Sequence, residues 1–140
     1  MTALTIEQDN RAQIRALLRD DAWVVACLCA AWCDACKTYR SRFEEWAGQH
    51  PDKHFLWIDI EDQADLVGDI DIENFPTLLL QRGGTVAFFG TVLPETQVAQ
   101  RLLTSYVRKS ETELREEAAS SVERKTWQEE CDLRRRLNAI

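Results

Sequence analysis

An apolar run from Ala22 to Cys29 leads through Ala30-Ala31 into Trp32-Cys33-Asp34-Ala35-Cys36-Lys37, and that succession limits the folds open to this chain. A segment apolar at nearly every position reads as a central strand covered on both faces. The residues after it, from Asp34 to Ala47, place Cys36, Tyr39, Phe43, Trp46 and Ala47 on one face of a helix that Gly48 and Pro51 end. Two cysteines three apart on the first helical turn hold both sulfurs on one side of the helix terminus. The unpaired N–H groups there carry partial positive charge, which favours a thiolate on Cys33 as nucleophile, with Cys36 one turn in as the resolving thiol. In a chain that alternates strand and helix, this spacing reads as a redox dithiol. A second reading is that Cys27, Cys29, Cys33 and Cys36 supply four thiolates to zinc or an iron–sulfur cluster. Cys27 and Cys29, however, sit inside the apolar run, where small thiols pack as core. The expectation is therefore no metal and no other cofactor.

On either side of this feature the pattern continues. Ala12, Ile14, Leu17 and Leu18 form a helical stripe ending near Asp20, with a cap between Thr5 and Asp9, and Ala3 to Ile6 is left open as a strand. Phe55 to Ile60 repeats the buried-strand pattern, and Asp62 to Ile70 reads as a short helix. Leu78 to Leu80 and Thr85 to Phe89, joined by Gly83-Gly84, read as an antiparallel hairpin. Pro94 suits the first turn of a last helix with Val98, Leu102, Leu103 and Tyr106 inward. The order βαβαβαββα gives an α/β fold: a mixed central sheet with helices on both faces. The division expected is a domain over 1–108 and a charged helical extension over 109–140.

Charge and cysteine usage narrow the function. Residues 1–108 hold 10 Lys and Arg against 16 Asp and Glu, and the remainder 7 against 8, so the acidic surface is unsuited to nucleic acid. Met1 to Asp20 lacks a signal-peptide pattern and no apolar run is long enough for a bilayer, so the expected setting is cytoplasmic, away from membranes. Four of the five cysteines lie within ten residues, unlike the scattered pairs of a disulfide-stapled secreted module. His50 and His54 read as solvated loop residues. The seven carboxylates between Asp59 and Glu73 read as a solvated helix face.

Taken together, the apolar strand, Trp32-Cys33-x-x-Cys36-Lys37, Phe75-Pro76-Thr77, Gly83-Gly84 and Gly90 resemble the thioredoxin family over about residues 1–108. The resemblance implies a cis Pro76 beside the dithiol, Phe75 pairing through its backbone with an extended substrate, and Trp32, Asp34, Ala35, Phe75, Pro76, Phe89 and Gly90 forming the docking surface. It implies a thiol-disulfide oxidoreductase that reduces protein disulfides and is reset by a flavoprotein reductase of the thioredoxin-reductase type. The departures are specific. Asp34-Ala35 replace the family's Gly-Pro, and an anionic Asp34 opposes thiolate formation beside it. The family's buried aspartate falls on Cys27, its lysine partner on Trp57, and a tryptophan near the active site falls on Cys29, so the resemblance implies for Cys29 either plain core filling or a third thiol near enough to trap an intermediate.

The extension carries a capping-box pattern at Ser110 to Glu113 and the i,i+4 pairs Glu111/Arg115, Glu130/Arg134 and Asp132/Arg136, so it is expected to be helical. Its apolar residues are too irregular for a coiled-coil seam, leaving docking on the domain, on a second copy or on a partner, or solvation, as the options. The competing function is an interaction or assembly module with weak redox activity, binding a partner through this helix.

Overall fold

The computed structural model describes residues 3–140. Five strands form one sheet in the order β1-β3-β2-β4-β5: β1 (Leu4–Thr5), β2 (Trp23–Cys29), β3 (His54–Asp59), β4 (Thr77–Arg82) and β5 (Thr85–Thr91). The first three run parallel, and β4 and β5 are antiparallel to their neighbours, so the sheet is mixed as its apolar runs imply. All seven residues of β2 are buried, as expected for a strand with partners on both edges and helices on both faces. Gly83 turns the β4–β5 hairpin at φ +57, the backbone that a type II′ turn requires at its first central residue.

Alternation along β2 divides the core in two. Val25, Cys27 and Cys29 face α2 (Asp34–Gly48) and α4 (Gln97–Val107), where they meet Tyr39, Phe43, Trp46, Ala99 and Leu103. Val24, Ala26 and Leu28 face α1 (Arg11–Leu17) and α3 (Ala64–Val67), where they meet Ile14, Leu18, Leu66 and Val67. Each large side chain buried this way contributes about 1.5–3 kcal/mol. Arg11 is buried as well: its guanidinium donates to Gln63 Oε1 at 2.6 and 3.0 Å and, in a two-bond fork, to Asp65 at 2.7 and 2.8 Å.

Several boundaries differ from the pattern-based reading. The helix expected over 62–70 is a single turn, because Gly68 at φ +59 ends it. The last helix of the domain starts at Gln97, three residues after Pro94. Ala99 rather than Val98 therefore points inward, and Val98 is 41 % exposed. In α1 the buried positions are Arg11 and Ile14, and Ala12 is exposed.

The extension is three short helices, α5 (Glu111–Ala118), α6 (Val122–Glu130) and α7 (Leu133–Asn138), each started by a side-chain cap from Ser110, Ser121 or Asp132. Together they pass around the outer edge of β5. Leu114 joins the α2/α4 side of the core, while Leu133 and Leu137 join the α1/α3 side. Between them, Gln128 accepts from Val86 N–H and donates to Val86 C=O, both at 2.8 Å, and Arg124 donates to Ala87 C=O at 3.1 Å. These side chains satisfy edge groups that another chain's strand would otherwise pair with. The Glu111/Arg115 pair forms, but Glu130/Arg134 and Asp132/Arg136 do not appear among the described residues, because the chain breaks between α6 and α7. Arg136 instead donates to Glu130, Leu66 and Val67 carbonyls, closing the end of α3. It lies so close over Gly68 that an added Cβ would meet its Nη1 at 2.8 Å.

Candidate active site

The strand β2 delivers the chain to a tight turn in which Cys33 N–H donates to Ala30 C=O at 3.0 Å. Cys33 then takes extended backbone geometry (φ −86, ψ 118) as the N-cap of α2, and its carbonyl accepts the first helical bond, from Lys37 N–H at 3.2 Å. Cys33 is half-buried and Cys36, one turn in, is 2 % exposed. The expected pair thus sits at one helix terminus, a half-buried cysteine ahead of a hidden one.

The disulfide, however, joins Cys36 to Cys29, with Cα atoms 5.8 Å apart, and Cys33 is a free thiol. Cys29 is 1 % exposed, and its sulfur lies 3.6 Å from that of Cys27. Burial pushes the Cys27 thiol far up, with Arg40 pulling more weakly the other way, so Cys27 stays protonated and can donate its S–H to Cys29. Arg40 stands 4.7 Å over the Trp57 ring and donates to Thr5 Oγ1 at 2.6 Å, which places a cation next to the core at the site where the family's charged pair is replaced by Cys27 and Trp57.

Around Cys33, Trp32 is 65 % exposed and meets Phe75 edge-on, ring centres 5.6 Å apart. The Phe75-Pro76 bond is cis, Pro76 C=O accepts from Val92 N–H at 3.0 Å, and Thr77 Oγ1 donates to Asn74 C=O at 2.6 Å. Ala35 is half-buried. The Asp34 side chain is 99 % exposed and 3.8 Å from Lys37, so its carboxylate faces water. Gly90 packs so close to the Phe88 ring that a Cβ would meet it at 3.0 Å. His50 and His54 stand apart from the cysteines and are held by partners: His50 meets Gln100 at 2.8 Å and stacks on Phe55, and His54 meets Asp20 at 3.0 Å.

Two recesses flank this region. A cleft of about 480 Å³ beside the disulfide is lined by Cys29, Cys36, Lys37, Arg40, Trp57 and Asp59. A groove of about 320 Å³ beside Gly90 and Thr91 has α6 as its far wall, through Glu123, Trp127 and Glu130. That wall is not visible in the family-like part of the sequence, since it comes from the extension. The inward position of Cys29 was readable from its parity with Val25 and Cys27.

A strand, a cysteine-bearing turn and a helix set against a cis-proline loop on a mixed five-stranded sheet define the class of thiol-bearing α/β domains. The chain belongs to the thioredoxin family, whose model matches residues 5–103. It is 32 % identical over 69 residues to Thioredoxin-2 of Saccharomyces cerevisiae, covering 49 % of this chain and 66 % of that protein. It is 38 % identical over 61 residues to Thioredoxin H2-1 of Oryza sativa subsp. japonica, covering 44 % of each. The chain therefore spans from under half to about two thirds of the length of these relatives. Among solved structures, a poplar thioredoxin h aligns with a TM-score of 0.68 at 22 % identity, over 79 % of this chain and 100 % of that one. Thioredoxin from Trypanosoma brucei brucei aligns with a TM-score of 0.64 at 20 % identity, over 77 % and 93 %. At these identities the two structures establish the shared fold.

Proposed function

We propose that this protein is a thiol-disulfide oxidoreductase that reduces protein disulfides. The observation that carries the reading is the half-exposed Cys33 at the N-cap of α2 with the buried Cys36 one turn behind it. Cys33 thiolate attacks a substrate disulfide, forming a mixed disulfide and releasing one substrate thiolate. Cys36 thiolate then attacks Cys33 Sγ, the second substrate thiolate leaves, and Cys33–Cys36 is closed. Trp32 and Phe75 offer the apolar part of the docking surface. Pro76 and Gly90 keep its floor low for an extended segment, with Asp34 and Ala35 at the rim. Reset needs a dithiol donor. A solved complex of ferredoxin:thioredoxin reductase with thioredoxin f2 is among the structural neighbours, which supports a reductase of this general kind as partner. No helix among the described residues is long and apolar enough to cross a membrane, and a cytoplasmic setting suits a reducing dithiol. The extension buries Leu114, Leu133 and Leu137 against its own domain, which weakens the case for an assembly module that recruits partners through that helix.

The test is turnover of a protein disulfide under a supplied dithiol, with Cys33→Ser and Cys36→Ser in parallel. Cys33→Ser abolishes turnover, and Cys36→Ser accumulates a mixed disulfide on Cys33. Unchanged turnover in Cys33→Ser refutes the reading.

A further inference from the structure

Cys36 has two cysteine neighbours and can bond to only one at a time. In the structure it is bonded to Cys29, while the dithiol reaction requires a bond to Cys33. The bond to Cys29 fits the fold as it stands. Cys29 lies on the α2-facing side of β2, with Cys36 on the inner face of α2 directly across from it, and the 5.8 Å between their Cα atoms is ordinary for a disulfide. The two arrangements differ in exposure: Cys29 and Cys36 are 1 and 2 % exposed, whereas Cys33 reaches solvent.

We propose that Cys29 is a third redox cysteine that takes Cys36 over from Cys33 after oxidation and stores the disulfide in the core. The inference rests on the dithiol reaction, which supplies the Cys33–Cys36 bond. Cys29 loses its thiol proton, and its thiolate attacks Cys36 Sγ. The Cys29–Cys36 bond forms, the Cys33–Cys36 bond breaks, and Cys33 leaves with the bonding pair as a thiolate that takes up a proton. The chain gains and loses no electrons, and the oxidising equivalent from the substrate disulfide moves from surface to interior. The cleft lined by Lys37, Arg40 and Asp59 gives the proton leaving Cys29 a path to solvent. Cys27 stands 3.6 Å from Cys29 as a protonated neighbour and does not compete as a nucleophile.

The exchange changes what the oxidised protein can do. Its Cys33 is again a nucleophile, but Cys36 is occupied. A second substrate disulfide attacked by Cys33 is then held as a mixed disulfide that Cys36 cannot release. The stored bond is reopened by the reverse exchange, in which Cys33 thiolate attacks Cys36, so reductant reaches it through Cys33.

Position-resolved differential alkylation of the full chain tests this. The protein is oxidised with diamide, free thiols are blocked with one reagent, and disulfides are reduced and labelled with a second, with sites assigned by peptide fragmentation. In the wild type the second label falls on Cys29 and Cys36, and the first on Cys33. Cys33→Ser, which has no Cys33–Cys36 bond to hand over, closes Cys29–Cys36 about tenfold more slowly than the wild type, and a small dithiol reopens that bond more slowly for the same reason. Cys29→Ala moves the second label to Cys33 and Cys36. The proposal is overturned if the second label in the wild type falls on Cys33 and Cys36, or if Cys33→Ser closes Cys29–Cys36 as fast as the wild type; in either case the dithiol reading stands alone. If Cys29→Ala closes no disulfide and the wild type never forms Cys33–Cys36 under any degree of oxidation, the dithiol reading fails and the exchange with it. The position of the second label separates the two outcomes.

Discussion

Leu137→Ala measures how far the residues beyond the family match belong to the fold. Leu137 lies outside residues 5–103, yet it is fully buried among Ile14, Leu18, Leu66 and Leu133 on the α1/α3 side of the sheet. The substitution removes three carbons, worth about 2.4 kcal/mol at about 0.8 kcal/mol per buried methylene. The cavity left behind adds to that, and buried Leu→Ala changes fall at about 2–5 kcal/mol. Alanine is the best helix former, so no loss of propensity in α7 obscures the packing effect. We expect a loss of about 3–4 kcal/mol. With a urea dependence of about 2 kcal/mol per M for a chain of this size, the midpoint falls by roughly 1.5–2 M. The assay is urea unfolding followed by tryptophan fluorescence and circular dichroism together, with Val122→Ala as the surface control, since Val122 is 82 % exposed and such sites change stability by less than about 0.5 kcal/mol. The two probes coincide if extension and domain unfold as one unit. A change for Leu137→Ala as small as the control, or an early separate transition confined to one probe, refutes the argument that the extension completes the core.

Two further outcomes follow from contacts at α3. The Arg11 fork holds the Asp65 carboxyl down at about 2, below the usual carboxylate value of about 3.9. A depressed folded-state value contributes stability above the unfolded value, lost as pH falls from about 4 toward 2. Asp65→Asn should therefore be less stable than the wild type at pH 6, with the gap closing by pH 2 in denaturant titrations. A gap independent of pH refutes the linkage. Gly68→Ala places a side chain at φ +59 and against Arg136, so thermal unfolding should show a loss of about 1–3 kcal/mol, and no loss would mean that α3 ends in another backbone.

Much of the sheet was readable because its strands are continuous apolar runs that only a two-sided burial explains, as β2 shows residue by residue. Trp32, Phe75 and Pro76 were brought together as their motifs imply. The extension resisted the same reading for a physical reason. Its three helices are short, and α5 and α7 each bury only two residues, on opposite sides of the sheet, so no single period runs through it. Its anchors to the sheet, Gln128 on Val86 and Asp132 on Gln81 at 2.6 Å, are polar and leave no trace in hydropathy. Asp132 also shows why an i,i+4 count misled: the residue expected to pair with Arg136 inside a helix is the cap that starts a new one. Cysteine spacing located Cys33 and Cys36, but the bond to Cys29 depends on the register of a helix over a strand, which spacing along the chain does not encode.

The hold of Arg15 on the Leu137 carbonyl links residues 122 positions apart, and the inner face of α1 rests on α7 through the same contact. During synthesis at about 5–20 residues per second, that leaves the first helix waiting roughly 6–24 s for the partner that covers it. Through that interval Ile14 and Leu18 lack part of their cover, so a newly made chain presents an apolar face long after its cysteine turn has emerged. The nascent protein is thus most open to chaperones in the interval before α7 is made.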